Sequence, residues 1–243
     1  MGLYSMVTKL LIATGNLGKL REYATLLAGL PYQLVSLNDV GITQEVNETG
    51  ETFEENAWLK ASEYSSISGL LTLADDSGLE VDSLNGDPGV RSARYGGEAC
   101  RNDEDRVALL LKNMEDIPWE KRGAQFQCVI AIADPSGTSS LPSYSFTDDQ
   151  KPHPISPGKA IPRSDTSVDS EPSRVAQAEG SVAGMIQYES QGKNGFGYDP
   201  VFYLPEYDQT AAQLSPTLKN QISHRAKAVE SVAEALQKLT TYR

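Results

Sequence analysis

The chain has 243 residues, 39% of them hydrophobic and 22% charged, the composition of an ordinary globular protein, which argues against disorder of the whole. Lysine and arginine number 21 against 33 aspartates and glutamates, a net charge of −12, so non-specific nucleic-acid binding is disfavoured and a polyanionic ligand would need placed cations and a divalent metal. No apolar run approaches the roughly 20 residues of a membrane helix, residues 1–8 lack a secretory pattern, and Cys100 and Cys128 lack metal-ligand spacing, so a cytoplasmic protein with no membrane or nucleic-acid partner is expected.

In chain order, residues 9–13 read as a short buried strand that runs into Thr14-Gly15-Asn16-Leu17-Gly18-Lys19, where two glycines permit a tight loop. A helix follows with Leu20, Tyr23, Ala24 and Leu27 on one face, stopped by Gly29 and Pro31. Residues 33–37 are a second strand, and Thr52 with Glu55 makes a capping box that predicts a helix from Phe53 to about Ser66. The strand 70–74 is expected to end in Asp75-Asp76-Ser77-Gly78, two carboxylates at a strand terminus. A turn at 85–89, a helix face of Val107, Leu110, Leu111 and Met114, and a doubly buried strand at 124–133 come next. From Asp134 to about Gln177 the chain is polar and proline-rich without period, which reads as an insertion loop without ordered structure, an expanded hairpin connection. Ordered texture resumes at 180–186 and gives a strand at 201–204. The end is a helix from near Ser223 whose apolar face is Ile222, Ala226, Val229, Val232, Ala233, Leu236 and Leu239. The reading is one domain over residues 8–240, interrupted at 134–177.

Four clusters could carry chemistry. Residues 14–19 offer loop amides, a hydroxyl and a lysine at a helix N-terminus, which suits a phosphate; a plain turn is the alternative, and the glycine spacing is not that of a Walker loop. Glu48, Glu51, Asp75 and Asp76 supply the hard oxygens that Mg²⁺ uses beside a triphosphate, or else solvated turns. Residues 192–200 read either as a base pocket, with Phe196 and Tyr198 as stacking surfaces and Asp199 as acceptor for a ring N–H, or as a hairpin loop with core aromatics. Lys219, His224 and Arg225 place three cationic or imidazole groups around one helix start in an acidic protein, or simply decorate a surface face.

Taken in order, Thr14-Gly15-Asn16 with Lys19, Glu48-Thr49-Gly50 with residues 52–57 and Lys60, Asp75-Asp76-Ser77-Gly78, Pro88-Gly89-Val90 with residues 92–95, residues 195–200 and Ser223-His224-Arg225 resemble the inosine/xanthosine triphosphate pyrophosphatase family. The resemblance implies an α/β fold, a long twisted mixed sheet with flanking helices in two lobes and the nucleotide in the cleft between them. It also implies Mg²⁺-assisted hydrolysis of ITP, dITP and XTP to the monophosphate and pyrophosphate, by a homodimer. Carried over by position, Thr14, Gly15, Asn16, Leu17, Gly18 and Lys19 surround the triphosphate with Lys60. Glu48 and Asp76 hold the metal, and Asp76 also accepts the proton of the attacking water, with Asp75 beside it. Ser77, Phe196, Gly197, Tyr198, Asp199, Lys219, His224 and Arg225 match substrate-contacting positions, Phe196 stacking on the base and His224 with Arg225 reading its edge. The alternatives are a nucleotide-binding sensor without turnover, a metal-dependent phosphatase that releases inorganic phosphate, and a pyrophosphatase for a standard nucleoside triphosphate.

Overall fold

The structure is a computed structural model and describes residues 7–137, 144–146, 152–154 and 171–241. It divides into two compact units, one of Met1–Asp75, Val129–Glu179 and Val229–Arg243, the other of Asp76–Cys128 and Gly180–Ala228.

The first unit begins with β1 (Thr8–Ile12), whose Leu10, Leu11 and Ile12 are fully buried. Helix α1 (Leu17–Leu26) follows at once, then β2 (Tyr32–Ser36), parallel to β1 with Leu10 opposite Leu34. Helix α1 starts three residues before its first predicted apolar position because Asn16 caps it, its side chain accepting from the amides of Gly18 and Lys19. Helix α2 (Phe53–Ser68) carries the predicted capping box in full and ends at Gly69 in the left-handed region, φ 65°. Strand β3 (Leu71–Val81) lies on the other side of β1, in parallel, with Leu71 opposite Leu10 and Leu73 opposite Ile12.

Strand β3 is eleven residues long, so the aspartates do not stand at a strand terminus as expected; they sit in mid-strand. Apolar periodicity ends at Ala74, but the backbone ladder continues through the polar residues, because strand pairing needs only main-chain groups.

Helix α3 (Asp103–Asn113) and strands β4 (Gly123–Asp134) and β7 (Ser173–Ile186) follow. Between β4 and β7 are β5 (Tyr144–Phe146) and β6 (Pro152–Pro154), β5 pairing in parallel with β7 and antiparallel with β6. The stretch 134–177 is therefore not structureless at its edges, since Asp134 belongs to β4 and Ser173 to Gln177 belong to β7; residues 138–143, 147–151 and 155–170 lie outside the described residues. Strands β8 (Phe202–Leu204) and β9 (Gln209–Thr210) extend the sheet antiparallel from β7. The order is β2-β1-β3-β4-β7-β5-β6 with β8 and β9 branching from β7, a mixed sheet of nine strands.

The C-terminal helical pattern is two helices, α4 (Pro216–Ile222) and α5 (His224–Thr241), broken at Ser223 in extended conformation. Ile222 thus belongs to α4 and not to the apolar face of α5, where Ala235 is buried and Ala233 only half-buried. The core of the second unit joins Leu79, Val81, Val107, Leu110, Met114, Phe126, Ile186, Tyr198 and Phe202. Beneath it the Arg122 guanidinium is 1% exposed and donates to the carbonyls of Met114, Ile117, Ile186 and Gln187. Among the described residues no helix is long and apolar enough to cross a membrane.

Candidate active site

In the first unit, the loop after β1 folds onto itself before it reaches any ligand. Thr14 Oγ1 accepts the Asn16 amide at 3.1 Å, and Asn16 Oδ1 accepts the Gly18 and Lys19 amides at 2.7 and 3.1 Å. Leu17, Gly18 and Lys19 are therefore the first turn of α1 and not loop. A side chain at Gly15 would meet nothing within 4 Å, so a ligand can approach this backbone closely.

Each lysine assigned from the sequence is held by a carboxylate. Lys19 Nζ lies 2.7 Å from Asp75 Oδ2, with side chains 14% and 1% exposed. Lys60 Nζ lies 2.6 Å from Glu48 Oε1. Charge-assisted contacts of this length fix both lysines in one position despite their rotamer freedom. The Glu48 loop is itself clamped to α2: Asn56, fully buried, accepts the Gly50 amide at 2.8 Å and donates to the Gly50 carbonyl. A Cβ on Gly50 would lie 2.6 Å from Glu55 Cβ and 2.8 Å from Asn56 Oδ1, so only glycine fits there.

Asp75 ends the first segment of the first unit, and Asp76 begins the second unit. Asp76 is 5% exposed and its Oδ1 accepts the Ser77 amide at 3.0 Å. In the second unit Ser77 Oγ accepts from Arg225 Nη2 at 3.0 Å, and the His224 ring stacks on Phe126 with centroids 4.9 Å apart. His224 and Arg225 are both buried, which excludes the surface-face reading of this cluster.

The loop 192–200 has a glycine framework. Gly195 and Gly197 take φ values of +78° and +61°, the left-handed region that glycine enters without strain. Phe196, half-buried between them, has Lys219 Nζ 4.9 Å and Arg225 Cζ 5.8 Å from its ring centroid. Asp199 Oδ2 accepts the Phe196 amide at 2.8 Å and pairs with Lys219 Nζ at 2.5 Å. Tyr198, expected as a stacking surface, is instead a core residue whose hydroxyl donates to the Ser92 carbonyl at 2.9 Å. Its burial pushes the phenol well above its ordinary range.

A family model described as the Ham1 family matches residues 10–147 and 164–235. The chain belongs to the Ham1 family. Among Ham1-type relatives, a dITP/XTP pyrophosphatase of Desulforamulus reducens is 43% identical over 95% of this chain and 96% of its own length, and one of Bacillus licheniformis is 42% identical over 94% and 97%. A solved HAM1 protein from Coxiella burnetii superposes with a TM-score of 0.72 at 34% identity, covering 95% of this chain and 99% of its own. The Ham1 match leaves out residues 148–163, which lie inside the stretch read as an insertion.

Two residues that support the candidate positions, Phe126 and Asp103, escaped the sequence reading, and the part played by a third, Asn56, was not legible in it. Phe126 looked like one more apolar residue of an alternating strand, yet it is the surface on which His224 lies. Asn56 stands among the residues 52–57 that carry the resemblance, but nothing in the sequence tells that its side chain clamps Gly50. Asp103 reads as an ordinary acidic residue of a helix first turn, and its carboxylate reaches the Gly197 amide at 2.8 Å.

Proposed function

We propose that this Ham1-family chain hydrolyses ITP, dITP and XTP to the nucleoside monophosphate and pyrophosphate. The chain is an enzyme of the nucleoside triphosphate pyrophosphatase class, the activity that names its relatives over nearly their whole length. The observation that carries the chemical reading is the pairing of each candidate phosphate-binding lysine with a carboxylate, Lys19 with Asp75 and Lys60 with Glu48. Such a set can exchange its internal partners for phosphate oxygens and a divalent cation.

Mg²⁺ fits the donors available. They are carboxylate oxygens, the hard donors that Mg²⁺ takes alongside the substrate's own phosphates. Glu48 and Asp76 are its proposed ligands. When bound, the ion would neutralise the leaving pyrophosphate and favour the attack of water.

The protein's own groups do the rest. Lys19, Lys60 and the N-terminus of α1 at residues 14–18 receive the triphosphate. Asp76 takes the proton of the water that attacks the α-phosphorus, as the α–β bridging P–O bond breaks and pyrophosphate departs; a general base of this kind contributes about 10²–10⁴-fold. Phe196 stacks on the base, with Lys219 holding Asp199 and through it the Phe196 amide. His224 and Arg225 donate to the 6-oxo oxygen of hypoxanthine or xanthine, where adenine presents an amino group and leaves those donors unmet. Asp199 supports the loop through the Phe196 amide, and the Tyr198 hydroxyl is taken up by the Ser92 carbonyl. The homodimer and the cytoplasmic location belong to the same proposal.

The test is a coupled assay for pyrophosphate and for phosphate with ITP, XTP, GTP, ATP and dTTP, each with Mg²⁺ and with EDTA, beside an Asp76→Asn variant. Metal-dependent pyrophosphate release from ITP and XTP, lost in the variant, is the expected result. Release of phosphate alone would make the chain a phosphatase, preference for dTTP or ATP would refute the base assignment, and binding without turnover would make it a sensor.

A further inference from the structure

The loop that carries Phe196 has no strand ladder to hold it. Two left-handed glycines bracket the residue, and the main-chain amides of Phe196 and Gly197 point to side chains instead. Phe196 N–H donates to Asp199 Oδ2 at 2.8 Å, and Gly197 N–H donates to Asp103 Oδ2, also at 2.8 Å. Asp199 lies in the loop itself. Asp103 comes from the first turn of α3, just after its cap Asn102, and anchors the Gly197 amide from elsewhere in the chain, while Lys219 holds Asp199 and the Ser92 carbonyl holds the Tyr198 hydroxyl.

We propose that Asp103 is a positioning residue for base recognition, setting the Gly195–Asp199 loop so that the ring of Phe196 meets the purine. The inference rests on the nucleotide reading above. The two oxygens of Asp103 have separate tasks: Oδ1 pairs with Arg106 one turn along α3, and Oδ2 takes the loop amide. A carboxylate held at one oxygen by a guanidinium presents the other in a fixed direction, and the N-terminus of α3 favours its charge. The bond also sets the turn at Gly197, whose Cβ position is open space, so packing does not fix that turn. The far side of the loop is set by contact, since a Cβ on Gly195 would fall 2.0 Å from Asp199 Oδ2. Between these two supports the Phe196 ring is held near Lys219 and Arg225. Asp103 touches none of the reacting atoms, so it acts on binding of the base and not on the chemical step.

The experiment is a double-mutant cycle of Asp103→Ala and Phe196→Leu, read as kcat and KM for ITP by pyrophosphate release, with thermal melts of every variant. Asp103→Ala is expected to raise KM by about tenfold with kcat nearly unchanged, because it removes one charge-assisted hydrogen bond that aligns a binding group. The double variant is expected to have the KM of Phe196→Leu alone, since Asp103 acts through that ring. Asp103→Asn keeps an acceptor for the amide and is expected to recover most of the KM. Asp103→Ser, too short to reach the loop and tolerated at a helix start, replaces the alanine variant should that one not fold. An unchanged KM in Asp103→Ala, a KM rise that multiplies undiminished on Phe196→Leu, or a fall in kcat alone would overturn the inference while leaving the nucleotide reading intact. A wild-type chain that turns over neither ITP nor XTP would overturn the nucleotide reading and this inference with it.

Discussion

Replacing Lys19 by methionine keeps the length of the side chain and removes its charge, which leaves the Asp75 carboxylate, 1% exposed, without the ammonium 2.7 Å away. Removing one partner of a fully buried pair costs about 3–5 kcal/mol. Lys19 retains 14% of its exposure, so water can reach part of the Asp75 charge, and the expected loss is about 2–3 kcal/mol. For a chain of this size that lowers Tm by about 5–10 °C. Urea denaturation followed by circular dichroism measures the loss directly. The double variant Lys19→Met/Asp75→Asn removes the buried charge as well and is expected to recover at least half of it, a coupling of about 1–2 kcal/mol. Because Asp75 is shielded from solvent, raising the salt should change these differences little. A Lys19→Met variant that loses less than about 0.5 kcal/mol, or a double variant no more stable than the single, would refute the view that this pair is buried and coupled.

Tyr198→Phe deletes the hydroxyl bonded to Ser92 and should destabilise by about 1 kcal/mol while leaving KM for ITP unchanged; altered base selectivity would show that the ring faces substrate after all. The same phenol gives a pH signature. Its burial raises the folded-state value above that of the unfolded chain, so its contribution is complete below about pH 10 and falls away as the pH rises beyond it, a decline that the phenylalanine variant should lack in alkaline melts. Arg122→Met strips donors from four buried or half-buried carbonyls and is expected to cost about 3–5 kcal/mol, measurable as a fall in Tm; a loss under 1 kcal/mol would mean that water replaces the guanidinium.

What was legible in the chain was what repeats or caps. The Thr52–Glu55 box located the start of α2 to the residue because both of its bonds are local. The apolar runs of β1 and β4 were visible because a buried strand must be apolar. The middle of β3 was not, since Asp75 to Ser77 interrupt the pattern while the ladder runs on. The break at Ser223 was hidden for the opposite reason, two helices presenting apolar residues at compatible spacing. In the candidate site, the order of the motifs named candidate residues, but partnership was beyond it. Nothing local tells that Asp199 is held by Lys219 or that Tyr198 turns inward, because those contacts join segments up to 106 residues apart.

Placing both aspartates within a continuous strand has a further effect. Successive strand residues face opposite ways, so a pairing slip of one position would turn Asp75 to the face that Asp76 occupies and Asp76 to the opposite one. What forbids the slip is the hydrocarbon a few residues upstream, Leu71 and Leu73, seated against Leu10 and Ile12 of β1. Which face each carboxylate takes is thereby written in the alignment of apolar side chains upstream of both. Trimming Leu71 or Leu73, both fully buried, would therefore loosen the strand register together with the core.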